Sequence, residues 1–181
     1  MRFSVSLARI AAAAFCICAP TLDATSAEEG GAGDALYELH MSAAGDDLAV
    51  VRDHVKTLAH LSAAHVEEVG LDRAVEDFMK DPWRRDANGL HIWGVTRDGV
   101  SWFDAGHPEL VGLDVSEMSD IEGRNWSRLA WTSGAGEGDD VFQLIFPHPM
   151  TSRAVRGLHT CYLVGEGDRV LCAGAFEDLD R

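Results

Sequence analysis

The stretch LHIWGVTRDGVSWFDAGHPELVGLD, from Leu90 to Asp114, decides the fold. Its first half holds two short runs in which large apolar side chains alternate with small or polar ones, and Asp98-Gly99 separates the two runs. Alternation with a period of two is typical of half-buried β-strands, and Asp-Gly is a strong signal for a tight hairpin turn. The second half changes at once to glycine, proline and acidic residues. The stretch therefore predicts a β-hairpin that leads into a long, turn-rich connector.

The register of this hairpin predicts which side chains share a face of the sheet. A turn centred on Asp98-Gly99 places Trp93 opposite Asp104 and Val95 opposite Trp102. One face then carries His91, Trp93, Val95, Trp102 and Asp104, and the other carries Ile92, Gly94 and Phe103. Large rings beside polar groups are typical of a ligand pocket. An amphipathic, partly exposed sheet face is the alternative, and this pattern leaves both open.

A second hairpin is predicted from CYLVGEGDRVLC, between Cys161 and Cys172. Two apolar runs flank a Gly-Glu-Gly-Asp turn, and a hairpin centred on Glu166 and Gly167 brings the two cysteines directly opposite each other. In an oxidising compartment this arrangement predicts a structural disulfide, with two free buried cysteines as the alternative. Closing a loop of about ten residues stabilises a fold by about 2 to 3 kcal/mol in the chain-entropy model.

Two helices are predicted ahead of the first hairpin. Apolar residues recur at helical spacing from Leu48 to Val69, a stretch of roughly 22 residues that stops before Gly70. The sequence LDRAVEDFMKD predicts a second, shorter helix, which ends before Pro82 because a proline disfavours the helical conformation of the residue before it.

The rest of the chain adds one more helix and one more strand. The sequence SDIE, from Ser119 to Glu122, matches a capping box, which predicts that a helix containing Trp126, Leu129 and Ala130 begins there. The run DVFQLIFP predicts a strand, so the count with the two hairpins is five. Every clear connection is antiparallel, and helices precede and separate the strands. The predicted class is therefore α+β.

The first 27 residues have the pattern of a signal peptide. Arg2 and Arg9 supply positive charge, an apolar stretch of about ten residues follows, and ATSA ends in small residues at Ala27. We expect cleavage after Ala27, with an uncleaved anchor as the alternative. Residues 28–46 are then a flexible terminus, in which the pattern also allows a short helix from Leu36 to Met41, and a single domain covers 47–181. The expected location is a periplasm or the exterior of the cell.

The chain is strongly acidic, with a formal net charge of −15. Removing residues 1–27 would take away two arginines and one aspartate, which leaves −16. Such a surface repels phosphate backbones and anionic lipids, so binding to nucleic acid or to a membrane surface is not expected. The apolar leader is too short to span a membrane, because Pro20 and Asp23 end it well before the roughly 20 residues that a span requires, and no transmembrane segment is expected in the mature chain.

Several short motifs follow the order seen in a known family. They are TRDG before the second strand, GHPELVGLD at Gly106–Asp114, DIEG at Asp120–Gly123, FPHP at Phe146–Pro149 and AGAF at Ala173–Phe176. In order and spacing they resemble the single Cache domains, which are extracytoplasmic ligand sensors with a PAS-like fold. The resemblance covers about residues 65–176. It implies a PAS-like antiparallel sheet of about five strands, preceded by a long N-terminal helix.

The resemblance also implies that the connector is a flap over one sheet face, with a small molecule bound beneath it. The implied ligand-binding residues are His91, Trp93, Trp102, Asp104, Arg124, Trp126, Phe142, His159 and Tyr162. Small organic acids are the usual ligands of such domains, and a lysine usually stands where this sequence has His159. Since a cationic side chain is what pairs with a carboxylate, this difference leaves the class of ligand open.

No enzyme motif and no metal motif is found. Patterns such as Gly-x-Ser-x-Gly and H-E-x-x-H are absent, and no two of the eight histidines are four residues apart, the spacing at which one helix most readily supplies two ligands. No cofactor, no metal site and no catalysis are therefore predicted.

Together with the signal-peptide pattern, the resemblance to single Cache domains implies an exported, standalone sensor domain that binds a small metabolite and signals through a separate membrane-bound partner. The alternative is a protein-interaction module in which the helix from Leu48 to Val69 dimerises or docks on a partner and the pocket is vestigial. Leu48, Val51, Val55 and Leu58 have coiled-coil spacing, but two heptads do not distinguish a dimer seam from a stripe that faces the core.

Overall fold

The computed structural model describes residues 48–84, 90–136, 140–147 and 154–178. The predicted signal peptide at 1–27 and the terminus at 28–46 lie outside the described residues. The elements are helices α1 (Leu48–Val69), α2 (Leu71–Phe78) and α3 (Trp126–Ala135), strands β1 (His91–Thr96), β2 (Ser101–Asp104), β3 (Phe142–Pro147), β4 (Ala154–Val164) and β5 (Arg169–Asp178), and a short 3-10 helix (Pro108–Leu110).

The strands form one antiparallel sheet in the order β2-β1-β5-β4-β3. Helices α1 and α2 cover one face of the sheet, and α3 with the connector covers the other. The predicted α+β class and the count of five strands are confirmed.

Helix α1 has the predicted bounds, and its apolar stripe lies against the sheet. Its buried residues are Val55, Leu58, Ala59, Ser62 and Val66, which recur at helical spacing and pack over β4 and β5. The buried Ser62 hydroxyl is satisfied by donating to the carbonyl of Leu58. The helix ends where Gly70 adopts a positive φ of 84°, a conformation that costs glycine little.

Helix α2 is shorter than predicted, since it ends at Phe78 instead of continuing towards Pro82. The chain turns there, with the N–H of Lys80 donating to the carbonyl of Asp77. The turn places Trp83 edge-on to Phe78, with ring centroids 5.0 Å apart, and both side chains join the core beneath α1.

The β1–β2 hairpin contains a bulge that the sequence did not reveal. Trp93 pairs with Asp104 and Gly94 with Phe103, as predicted, but Val95 then pairs with Ser101. Trp102 is the extra residue, so it turns to the face packed against α1. Its indole N–H donates to the carbonyl of Val170 at 3.0 Å. The prediction that Trp102 shares a face with Trp93 is therefore wrong.

The β4–β5 hairpin has the predicted register, with Cys161 opposite Cys172 and a disulfide between them. Their Cα atoms are 4.0 Å apart, which is near the spacing of a close, non-hydrogen-bonded pair in an antiparallel sheet. The same register places Tyr162 opposite Leu171, and Tyr162 packs on the α1 side. The prediction that Tyr162 lines the pocket face is therefore wrong.

Helix α3 begins at Trp126, later than the capping box at Ser119–Glu122 predicted. Asn125 caps it, with its side-chain oxygen accepting from the backbone N–H of Arg128 at 2.8 Å. Residues 119–122 form a turn instead, because Asp120 is drawn into contacts with β3.

The connector between β2 and α3, residues 105–125, runs from the β2 edge of the sheet to the β3 edge. Near its start, the N–H of Gly112 donates to the carbonyl of Ser101 at 2.7 Å. Val115 is then buried in the same cluster as Trp93, and the N–H of Ile121 donates to the carbonyl of Ile145 in β3. The connector therefore crosses the whole face that carries Trp93.

Candidate functional site

The strand register brings the predicted face residues together beneath the connector. In one row across the sheet, His91 of β1 pairs with Gly174 of β5, Gly174 pairs with His159 of β4, and His159 pairs with Phe142 of β3. Trp93 occupies the next row on the same face. Four of the predicted ligand-binding residues thus lie side by side.

Two glycines form a floor on which the His159 ring lies. A Cβ atom at Gly174 would collide with Nδ1 of His159, and one at Gly157 would collide with Nε2. Because neither glycine has a side chain, the imidazole can lie flat against the sheet. His159 is consequently only 3% exposed.

Trp93, which is 2% exposed, is the centre of a set of neighbouring rings that we call the aromatic wall. Its members are His91, Trp93, Trp126, Phe142, Phe146, His159 and Phe176. The indole of Trp93 stacks on that of Trp126, the first residue of α3, with ring centroids 5.3 Å apart and planes 11° apart. The indole N–H of Trp93 donates to Nδ1 of His159 at 3.3 Å. Trp126 in turn donates to the carbonyl of Val115, which ties the stack to the connector.

The tautomer of His159 follows from this bond. An indole N–H can only donate, so Nδ1 must accept and the proton of the neutral ring lies on Nε2. Nε2 is buried, and no described group accepts its proton. Burial, and to a smaller extent the neighbouring His91, holds the pKa of His159 well below its usual 6.5.

The outer part of the wall is a second stacked pair. The rings of His91 and Phe176 lie 5.1 Å apart with planes only 6° apart. Phe176 also faces His159 edge-on at 6.0 Å and Phe146 at 6.4 Å. Phe176 is 38% exposed, so this pair separates the buried imidazole from solvent.

Asp104 lies on the predicted face, but its carboxylate accepts hydrogen bonds from backbone N–H groups. Oδ1 of Asp104 accepts from the N–H groups of Gly106 at 2.9 Å and His107 at 2.7 Å. This local bonding turns the chain out of β2 into the connector.

Arg124 is held by carboxylates instead of facing an open pocket. Its guanidinium contacts Oδ2 of Asp120 at 2.7 Å and Glu122 at 3.1 Å. Asp120 also accepts from the N–H of Ile145 at 2.9 Å, which fastens the connector to β3. Burial alone would raise the pKa of Asp120, but the hydrogen bonds from Arg124 and from backbone N–H groups outweigh it and lower the pKa.

A depression of about 240 Å³ lies elsewhere, between the β1–β2 turn and the start of α3. Its lining includes Arg97, Ser116, Arg128 and Trp131, and the Arg97 guanidinium lies 5.7 Å from the centre of the Trp131 ring. Both arginines are exposed to solvent. The arrangement is that of a surface groove beside a capped helix end.

The described part of the chain contains neither a cluster of metal ligands nor a membrane-spanning helix. No three histidine, cysteine or acidic side chains there are grouped closely enough to hold a metal ion. None of the helices there has the length and apolar character needed to cross a bilayer.

Comparisons with known proteins identify the fold through structure and not through sequence. No known protein family matches the sequence, and no curated protein matches it. Among solved structures, a methyl-accepting chemotaxis protein from Vibrio parahaemolyticus RIMD 2210633 aligns with a TM-score of 0.58 at 14% identity, over 78% of this chain and 96% of that one. The periplasmic sensor domain of a chemotaxis protein aligns with a TM-score of 0.52 at 14% identity, over 81% and 95%. The chain has a single Cache-like sensor-domain fold.

A third match is a structure described as the basis for carboxylic acid recognition by a Cache chemosensory domain. It aligns with a TM-score of 0.49 at 16% identity, over 81% of this chain and 93% of that one. The two matches with TM-scores above 0.5 confirm the predicted resemblance to single Cache domains at the level of an α+β fold.

Within this Cache-like domain, the predicted site divides into three groups. The wall under the connector contains His91, Trp93, Trp126, Phe142 and His159. Asp104 and Arg124 lie next to it but are bound by the connector, and Trp102 and Tyr162 lie on the opposite face.

Sequence reasoning missed two aromatic residues of the wall, Phe146 and Phe176. Both lie inside the motifs that carried the family resemblance, FPHP and AGAF, and both are on the same side of the sheet as His159 by strand alternation. The available signal was this alternation, counted along β3 from Phe142 and along β5 from Gly174, the two residues that pair with His159.

Proposed function

We propose that this chain is an exported sensor domain that binds a small molecule on the α3 side of its sheet and signals through a separate membrane-bound partner. The observation that carries the proposal is a Cache-like fold whose aromatic wall encloses a polar imidazole beneath the connector. A few polar groups among apolar walls are typical of ligand pockets. Binding and sensing need no catalytic residues.

The likeness to sensor domains of chemotaxis proteins supports the sensing part of the proposal. Trp93 and His159 are covered by the chain's own side chains, so a ligand must move part of this wall. Phe176 is the most exposed ring of the wall and borders solvent. We therefore place the entrance at the stacked pair of His91 and Phe176.

The wall also offers a route from ligand to signal. Trp93 stacks on the first residue of α3, and that residue is bonded to Val115 of the connector. A ligand that displaces the wall would shift α3 and the connector together. It can do so only through a higher affinity for the displaced arrangement than for the closed one.

Screening for stabilisation by ligands tests this function. The purified protein is melted with small carboxylates, amines, amides and nucleobases, and a ligand that binds the folded state raises the midpoint with its concentration. Phe176→Ala should change the shift in midpoint that a stabilising compound produces. Leu163→Ala, at an exposed site on β4, is the matched control and should leave this shift unchanged. If no compound of the panel raises the midpoint, the sensor proposal is wrong.

Export is tested separately. We expect the protein recovered from the periplasm or the medium to lack residues 1–27 by intact mass and to contain the Cys161–Cys172 disulfide. Recovery of the uncut chain from the membrane fraction would instead support an uncleaved anchor.

The alternative, an interaction module built on α1, is not favoured by the packing. Val55 and Leu58, two of the residues with coiled-coil spacing, are fully buried against the sheet of the same molecule. They are therefore not available to a partner helix. Sedimentation at several concentrations would detect self-association if another face of α1 mediated it.

A further inference from the structure

The buried N–H of His159 at Nε2 is the polar group of this wall that most needs an explanation. Buried donors in native proteins nearly always have an acceptor, because leaving one unpaired costs on the order of 1 to 3 kcal/mol. The indole N–H of Trp93 fixes the tautomer, so the proton cannot move to the other nitrogen. The glycine floor at Gly157 and Gly174 positions the ring flat against the sheet.

The surrounding rings replace an acceptor only weakly. Phe176 lies edge-on to His159 at 6.0 Å, and N–H contacts with an aromatic face are second-order interactions. The other neighbours, Trp93, His91 and Phe142, are also rings, at 5.5 Å, 5.9 Å and 5.5 Å. The wall thus places flat ring surfaces around the Nε2 donor of His159.

We propose that the ligand of this domain is an uncharged, planar molecule whose carbonyl oxygen or ring nitrogen accepts a hydrogen bond from Nε2 of His159. This inference rests on the proposed function, and it assigns the class of ligand. The planar shape follows from the two stacked pairs, Trp93 with Trp126 and His91 with Phe176, whose planes are within 11° and 6° of parallel. Such rings present flat faces that suit a planar compound.

The charge of the ligand follows from the groups around it. A carboxylate moved into an aromatic wall loses its hydration, and it needs a cationic partner to compensate. Among the described residues of neighbouring elements, Arg124 is already bound by Asp120 and Glu122, and Arg156 belongs to the opposite face of β4 by strand alternation. A chain with a net charge of −15 also repels anions at long range.

The test compares compounds that differ in charge but share a ring. The exported protein is titrated with benzamide and benzoate, and with nicotinamide and nicotinate, and thermal midpoints are recorded. We expect the two amides to raise the midpoint in a concentration-dependent manner and the two carboxylates to leave it unchanged. If only the carboxylates bind, the ligand class is overturned while the proposed sensing function stands.

Two variants separate the two nitrogens of the imidazole. His159→Asn keeps an acceptor near Nδ1 for the Trp93 indole but removes the donor at Nε2, so amide binding should weaken about tenfold or more. His159→Gln places an amide N–H near Nε2 and should retain more binding than His159→Asn. His60→Asn, at an exposed histidine on α1, is the control and should bind as the original chain does.

A readout from the ring itself completes the design. With 15N-labelled imidazoles, His159 should show a protonated Nε2 and an unprotonated Nδ1, and the Nε2 resonance should shift when an amide is added. Amide binding that His159→Asn leaves unchanged would overturn the role of His159. If neither these pairs nor the broader metabolite panel binds, the ligand class and the proposed function fall together.

Discussion

Acid should destabilise this protein through His159, and the size of the effect can be worked out from its burial. The folded-state pKa lies well below the unfolded value near 6.5, because the ring is buried among aromatic side chains and next to His91. As the pH falls below 6.5, the unfolded chain therefore takes up a proton that the folded chain does not. The contribution to the free energy of unfolding is complete above that pH, and it is lost as the pH falls towards the folded-state pKa.

One proton corresponds to about 1.4 kcal/mol per pH unit, so going from about pH 8 to about pH 5 should cost at most about 2 kcal/mol at this site, the limit for a ring that stays neutral in the folded state. The measurement is urea unfolding of the original chain and of His159→Asn at both pH values. Burial lowers the pKa of His54 too, against attraction from Asp53, but this contribution is common to both proteins and cancels in the comparison. If the two proteins lose stability in parallel, His159 does not titrate as a buried neutral ring, and the reasoning is refuted.

Three further variants test the packing of the face. Asp120→Asn should lower the free energy of unfolding by about 2 kcal/mol in urea titrations. This is less than for a fully buried ion pair, because Arg124 is partly exposed. An unchanged midpoint would contradict the proposed attachment of the connector to β3 through Asp120. Replacing Cys161 and Cys172 with serine should cost about 2 to 3 kcal/mol, and reductant should then have no further effect on the midpoint. Gly174→Ala should cost about 1 to 3 kcal/mol and displace the His159 ring, visible as a changed imidazole spectrum, and a native spectrum would disprove the glycine floor.

The two hairpins show where sequence reasoning succeeds and where it fails. The β4–β5 register was predictable because the turn between Val164 and Arg169 fixes the pairing, and this register continues without interruption from Val155 to Val164. The predicted β1–β2 register is correct for two pairs and wrong for the next, because a bulge adds one residue to β2 without a clear signal in the sequence. A slip of one residue was enough to move Trp102 to the other face.

The predicted start of α3 was wrong for a different reason. A Ser-x-x-Glu pattern satisfies the local rule for a capping box. The carboxylate of Asp120, inside that pattern, instead accepts hydrogen bonds from the Arg124 side chain and from the backbone N–H of Ile145 in β3. Local hydrogen-bonding patterns are weak where a tertiary partner competes for the same side chain. Asn125 then serves as the cap, six residues after Ser119.

The same contrast applies to the candidate site. The register of one hairpin was enough to place His91 and Trp93 on one face, since alternation within a strand needs only its period. His159 was assigned to the same site through the family resemblance, because only the pairing of β1, β5 and β4 brings it to that face. The orientation of the His159 ring depends on Gly157, two residues earlier on β4, and on Gly174 of β5, which lies opposite His159 only after the strands pair. The hydrogen bond from Trp93 then selects the tautomer. The feature that most constrains the ligand, a buried N–H with no acceptor among the described residues, is therefore a consequence of pairing three strands, and no single stretch of the sequence contains it.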